Sequence, residues 1–195
     1  FVNQLAIAIT TVVFNRSALL FAGEDGVAAV SIIMYLQFLC IGIYFGFSMG
    51  LSTPLGYAYG DRNFSVCRVL EKYAYRFFAI VPIILYGCTY LLAPIGVRFF
   101  ASPGSTVFDM AVSGMRLYGL GFLFSGINIF AAIRMMTYGK GYISGMITFL
   151  RSFALLLLFL TVLPRFLELN GIWLAVPAAE ILTLIVALWT LRKKL

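Results

Sequence analysis

Six stretches of this chain are each apolar for long enough to cross a lipid bilayer. They cover roughly residues 1–22, 27–58, 73–97, 108–134, 142–163 and 171–191, and Gly, Pro and charge punctuate them. About twenty helical residues span a hydrocarbon core about 30 Å thick. The second and fourth stretches are longer, which predicts tilt or extension into the interface. In hydrocarbon no water satisfies the backbone, so only helices and closed barrels cross it. A barrel strand would alternate in polarity, whereas "ALLLLFLTVL" runs apolar without a break. The expectation for residues 1–195 is an all-α membrane protein of six transmembrane helices.

Charge then sets the orientation. The net charge of +7 would suggest nucleic acid in a soluble protein, but here only 11% of residues are charged and 63% are hydrophobic. In such a chain a basic excess is a topology signal, and no nucleic-acid partner is expected. Arg62, Arg68, Lys72 and Arg76 follow the second span, Arg134 and Lys140 the fourth, and Arg192, Lys193 and Lys194 the sixth. The alternate loops carry Glu24 and Asp25, then Arg98, then Arg165 with Glu168. The positive-inside rule puts the basic side, and with it both ends of the chain, in the cytoplasm. Arg68, Lys72 and Arg76 recur every four residues opposite an apolar face, which predicts an amphipathic helix lying in the interface. Cys40, Cys67 and Cys88 are scattered and odd in number, and read as small buried hydrophobes. The chain begins at Phe1 with no basic leader, as expected of a piece of a longer protein.

Several spans carry a polar stripe in helical register. Gln4, Thr11 and Asn15 share a face of the first, Gln37 and Tyr44 of the second, and Ser125 and Asn128 of the fourth. Such faces turn toward other helices or water, which makes these seven residues the candidate lining of a central cavity. Gly42, Gly46 and Gly50 form a small-residue ladder that would let a neighbouring helix approach closely. Two charges lie deeper. Arg151 and Glu180 sit in neighbouring antiparallel spans, about 18 Å and about 14 Å from the turn that joins them. A charge at such depth costs about 2.5–3.5 kcal/mol on insertion scales. They are expected to pair as a folding anchor, with a coupling role for Glu180 as the rival reading.

Enzymatic readings find little support. The chain has no histidine, no pair of intramembrane aspartates, and no phosphate-cradling loop, so neither a catalytic residue nor a metal site is expected.

Four segments together resemble a known family: "GEDGVAAVSI", "GFSMGLSTPLGYAYGDRN", "YGKGYISGMITFLRS" and "LNGIWLAVPAAE". In this order and spacing they are similar to the C-terminal half of a multidrug and toxic compound extrusion (MATE) transporter, closest to its MepA-like bacterial exporters. The resemblance covers nearly the whole chain. It implies twelve spans in two lobes, this chain being the second lobe and the N-terminal lobe its partner. It also implies export of organic cations and lipophilic drugs across the bacterial plasma membrane, driven by H⁺ or Na⁺, with no cofactor. One branch of the family binds its cation at acids in spans seven and ten. By register the second acid falls near Ser125, and the seventh span offers only Asn3 and Gln4, so that cation site is not expected in this lobe. Two alternatives stand beside the exporter. One is a lipid-linked oligosaccharide flippase of the same superfamily, and the other a non-transporting membrane scaffold.

Overall fold

The computed structural model describes residues 2–192, without the side chains of residues 2–5 and 7. Gln4, a candidate lining residue, therefore lies outside the described side chains. The elements are α1 (Val2–Gly60), α2 (Phe64–Arg98), α3 (Thr106–Tyr118), α4 (Phe122–Thr137), α5 (Gly141–Phe149), α6 (Leu155–Val162) and α7 (Pro164–Arg192). A 3₁₀ turn at Gly119–Gly121 joins α3 to α4, and a π-helical turn at Leu150–Ala154 joins α5 to α6. No strand occurs among the described residues. Five continuous helices are long and apolar enough to cross a membrane. The first two of the six expected stretches both lie within α1, on either side of Gly23.

α1 is nonetheless broken. Gly23 stands at φ 62°, ψ −153°, a conformation essentially closed to residues with a Cβ. Three residues on, a Cβ at Gly26 would lie 2.6 Å from the Ala22 Cβ and 2.8 Å from the Ala18 carbonyl oxygen. Asn15, Arg16 and Leu19 before the break line one groove of about 580 Å³ with Val27, Ala28 and Ser31 after it. On one straight helix Asn15 and Ser31 would stand about 24 Å apart. The two limbs therefore flank a common groove. Asp25, at the bend, accepts a hydrogen bond from the Thr106 hydroxyl at the start of α3.

The same device recurs in α7. Glu168 takes φ 50°, ψ −129°, and Gly171 follows three residues later. A Cβ at Gly171 would lie 2.5 Å from the Leu163 carbonyl carbon and oxygen. "GEDG" and "ELNG" are thus two copies of one turn, each a non-helical residue followed by a glycine that admits another backbone.

The amphipathic stretch expected around Arg68, Lys72 and Arg76 occupies residues 64–77. Those residues are the first turns of α2, which runs unbroken to Arg98. Asn63 starts it by accepting from the Val66 amide, and no Gly or Pro interrupts it before Pro82. Ser105 caps α3 likewise, through the Phe108 amide. The core gathers Trp173, Tyr44, Phe122 and Phe130, all fully enclosed. Glycine makes room for them: a Cβ at Gly114 would meet the Trp173 ring at 2.8 Å, and one at Gly126 the Phe78 ring at 2.8 Å. Among the described residues no other element packs on the ladder Gly42, Gly46 and Gly50: beyond the helix's own adjacent backbone, nothing lies within 4 Å of a Cβ built at any of them.

Candidate functional site

A buried polar cluster occupies the middle of the bundle where α4, the π turn and α7 meet. Glu180 is 4% exposed. Its carboxylate accepts from Arg151 Nη2 at 2.6 Å and Arg151 Nε at 3.1 Å, and from Asn128 Nδ2 at 2.7 Å. The same Asn128 nitrogen donates to the Glu180 carbonyl oxygen at 2.9 Å. Both carboxylate oxygens and the backbone of Glu180 are thereby held. Two nitrogens of the planar guanidinium engage one carboxylate, a charge-assisted geometry stronger than that of neutral hydrogen bonds. The cluster places one cation against one anion, so its net charge is zero.

The π turn positions Arg151. A π-helical turn inserts one extra residue into the helix and disturbs its regular carbonyl pairing. The carbonyl of Ser152, in that turn, accepts from the Thr10 hydroxyl in the first limb of α1 at 3.3 Å. Thr10 also donates to the Ala6 carbonyl at 2.8 Å. The first limb is thus tied to the turn that carries the arginine. Beside the cluster, Ser125 Oγ and Asn128 Oδ1 are buried without a hydrogen-bond partner. The Tyr44 hydroxyl reaches the Phe122 carbonyl at 2.9 Å.

A second buried ion pair closes one end of the bundle. Glu71 of α2 accepts from Arg134 Nε of α4 at 2.5 Å and from the Tyr138 hydroxyl at 2.6 Å. The Arg134 guanidinium lies 5.0 Å from the Tyr138 ring centre, within cation–π range. Burial first, and then the bond to Glu71, push the Tyr138 phenol up from its ordinary pKa, so it remains a donor. Glu71 was not singled out from the sequence, because it sits among Arg68, Lys72 and Arg76. Its register with buried Cys67, Ala74 and Phe78 was the available signal.

The candidate lining residues separate into two groups. Thr11, Asn15 and Gln37 are partly exposed. Tyr44, Ser125 and Asn128 are at most 1% exposed and enclosed by neighbouring helices. In the second limb of α1, the Tyr44 and Ser48 face turns into the core, and the opposite face is open. That open face carries Gly42, Gly46 and Gly50 with exposed Tyr35, Phe38, Met49 and Tyr57. It is aromatic and smooth rather than charged.

Comparison with known proteins adds the family. A protein-family model described as MatE matches residues 1–163. No curated protein sequence matches the chain. Among solved structures, an outward-facing multidrug resistance MATE family transporter of the MOP superfamily is similar over 97% of this chain, at 22% identity and TM-score 0.87. An inward-facing one is similar over 96%, at 21% identity and TM-score 0.88. A MOP superfamily transporter from Pyrococcus furiosus, whose reversed binding-pocket polarity suggests a different function for it, matches at 22% identity and TM-score 0.87. At these identities the likeness is one of fold. The chain spans 43%, 44% and 43% of those three transporters, less than half of each.

Proposed function

The chain belongs to the MatE family, and from that premise we propose that it is the C-terminal lobe of a secondary active multidrug exporter in the MepA-like branch. It exchanges organic cations and lipophilic drugs for H⁺ or Na⁺ across a bacterial plasma membrane. The observation that carries this reading is the near-complete fit of the chain to less than half of the matched transporters. A lobe of that size needs a second lobe, and the N-terminal lobe is the partner expected. In this reading the break at Gly23 turns α1 back on itself, so that the chain makes six crossings with both ends on the basic, cytoplasmic side; the non-helical backbone at Gly23 supports it.

The open face of α1 is the surface proposed to line the cavity between lobes. Flat aromatic and methionine side chains beside bare glycine backbone suit large lipophilic cations, which aromatic rings attract without a fixed ion pair. Thr11 and Asn15, on the first limb of α1, add polar groups from beside it, with Gln4 in their helical register, while Gln37 shares the inward face of Tyr44. Tyr44, Ser125 and Asn128 support the lining from within the bundle. Arg151 and Glu180 serve as the folding anchor, and the coupling ion binds mainly in the other lobe.

A flippase would need uncompensated cations for a pyrophosphate. Glu180 neutralises Arg151, the deepest cation of this lobe, and that weakens the alternative. A scaffold would not need an open face of this composition. Reconstitution of the full-length protein in liposomes with ethidium and an imposed H⁺ or Na⁺ gradient tests the reading. Gradient-dependent ethidium movement is expected. Lipid-linked oligosaccharide movement without ethidium movement would select the flippase, and no movement of either would select the scaffold.

A further inference from the structure

The basic ladder on α2 has a feature that topology alone does not require. Arg68, Lys72 and Arg76 are all exposed and lie at i, i+4 and i+8, on one face over about 12 Å of helix. The Arg68 Nε donates to its own helix backbone at Phe64, and no ion pair engages any of the three among the described residues. The carboxylate that could neutralise them, Glu71, is turned inward and taken by Arg134 and Tyr138. The face is therefore uncompensated. It also continues directly into apolar surface: Ile80 and Ile83, exposed by 58% and 66%, follow Arg76 in the same helical register. Exposed Tyr73 lies beside the ladder, as an interfacial aromatic does.

We propose that this face of α2 binds the headgroups of anionic phospholipids. The isoleucines lie against the acyl chains, and the three cations form a row at headgroup depth. Because α2 is one continuous helix from Phe64 to Arg98, headgroup and acyl contacts are made by a single element. Charge complementarity selects the occupant: an anionic phosphodiester offers oxygens to two guanidinium groups and an ammonium, whereas a zwitterionic lipid brings its own cation to repel them. The inference rests on the chain spanning a membrane and is independent of the substrate exported.

The test uses full-length transporter in vesicles of phosphatidylcholine with a minor fraction of spin-labelled phosphatidylglycerol or spin-labelled phosphatidylcholine. Electron paramagnetic resonance reads the motionally restricted fraction of each label. Wild type is expected to prefer phosphatidylglycerol, and the preference to weaken as salt is raised. The triple variant Arg68→Gln, Lys72→Gln, Arg76→Gln is expected to lose at least about fivefold of that preference, the effect of about one fully expressed cation. The charge-keeping variant Arg68→Lys, Arg76→Lys is expected to retain it. Monodispersity in detergent and ethidium movement serve as separate readouts that the variants fold. Equal lipid preference in wild type and the triple variant would overturn the proposal, as would loss of preference in the charge-keeping variant. Ethidium movement could fail while the lipid preference stands, which would sink the exporter reading alone.

Discussion

Glu180 shows what a single side chain in a bilayer requires. It has three nitrogens within 3.1 Å, contributed by Asn128 and Arg151. Removing one partner of a buried pair strands the other and typically costs about 3–5 kcal/mol. Glu180→Gln is therefore expected to lower the thermal midpoint of the detergent-solubilised protein by that order of energy. Arg151→Gln should do the same, and the double variant should recover part of the loss. A Glu180→Gln protein of normal stability whose transport no longer responds to pH would instead make Glu180 a coupling carboxylate. The spacing of Arg151 and Glu180 was legible because a short turn joins their helices and each residue adds a fixed rise. The third partner was not legible as such. Asn128 lies 52 residues from Glu180, and only its membership of a polar stripe marked it. Tyr44 and Ser125 shared that kind of stripe, yet periodicity says which residues share a face and not what the face meets.

At the scale of the element, the two broken helices carry the sharpest expectations. Glu168 occupies a positive-φ conformation that glycine tolerates, so Glu168→Gly should stabilise by about 1 kcal/mol, read as a rise in midpoint on thermal unfolding. Gly171→Ala should destabilise by about 1–3 kcal/mol in the same assay, because its Cβ would meet the Leu163 backbone, which cannot swing aside as a side chain can. Gly42→Ala is the control. Nothing lies within 4 Å of that Cβ, and alanine favours the helix, so stability should hold or rise slightly. If Gly42 lines the cavity, Gly42→Leu should depress ethidium movement while leaving the thermal midpoint within about 0.5 kcal/mol. The apolar stretches were visible from the sequence because each is long and uninterrupted. Their joins were less so: "GEDG" and "ELNG" carry turn residues, but an abrupt reversal keeps helical hydrogen bonds on both sides, so the first two stretches merge into α1.

For the whole molecule, orientation is the first quantity to test. In a cysteine-free background, Asn63→Cys and Tyr142→Cys are both exposed positions at the basic end. Neither is expected to react with a membrane-impermeant maleimide added outside intact cells, and both should react once the membrane is opened. Rapid labelling of either from outside would reverse the topology. The fold matches outward-facing and inward-facing transporters almost equally, with TM-scores of 0.87 and 0.88. The buried ion pairs Arg151–Glu180 and Arg134–Glu71 tie several elements together at two levels of the bundle, and each resists shear within it.

The π turn at Leu150–Ala154 has a consequence for the gene. It holds one residue more than a regular helix would use, so loss of a single codon there can be absorbed as an ordinary α-helical turn. The backbone would survive, but the two halves of that helix would be rotated against each other by about 100°. Arg151 would lose its aim at Glu180, or α6 would turn a different face to its surroundings. A three-nucleotide deletion at this point should therefore leave a helical, membrane-inserted product that fails to assemble. The same deletion within the regular turns of α5 offers no spare residue to remove.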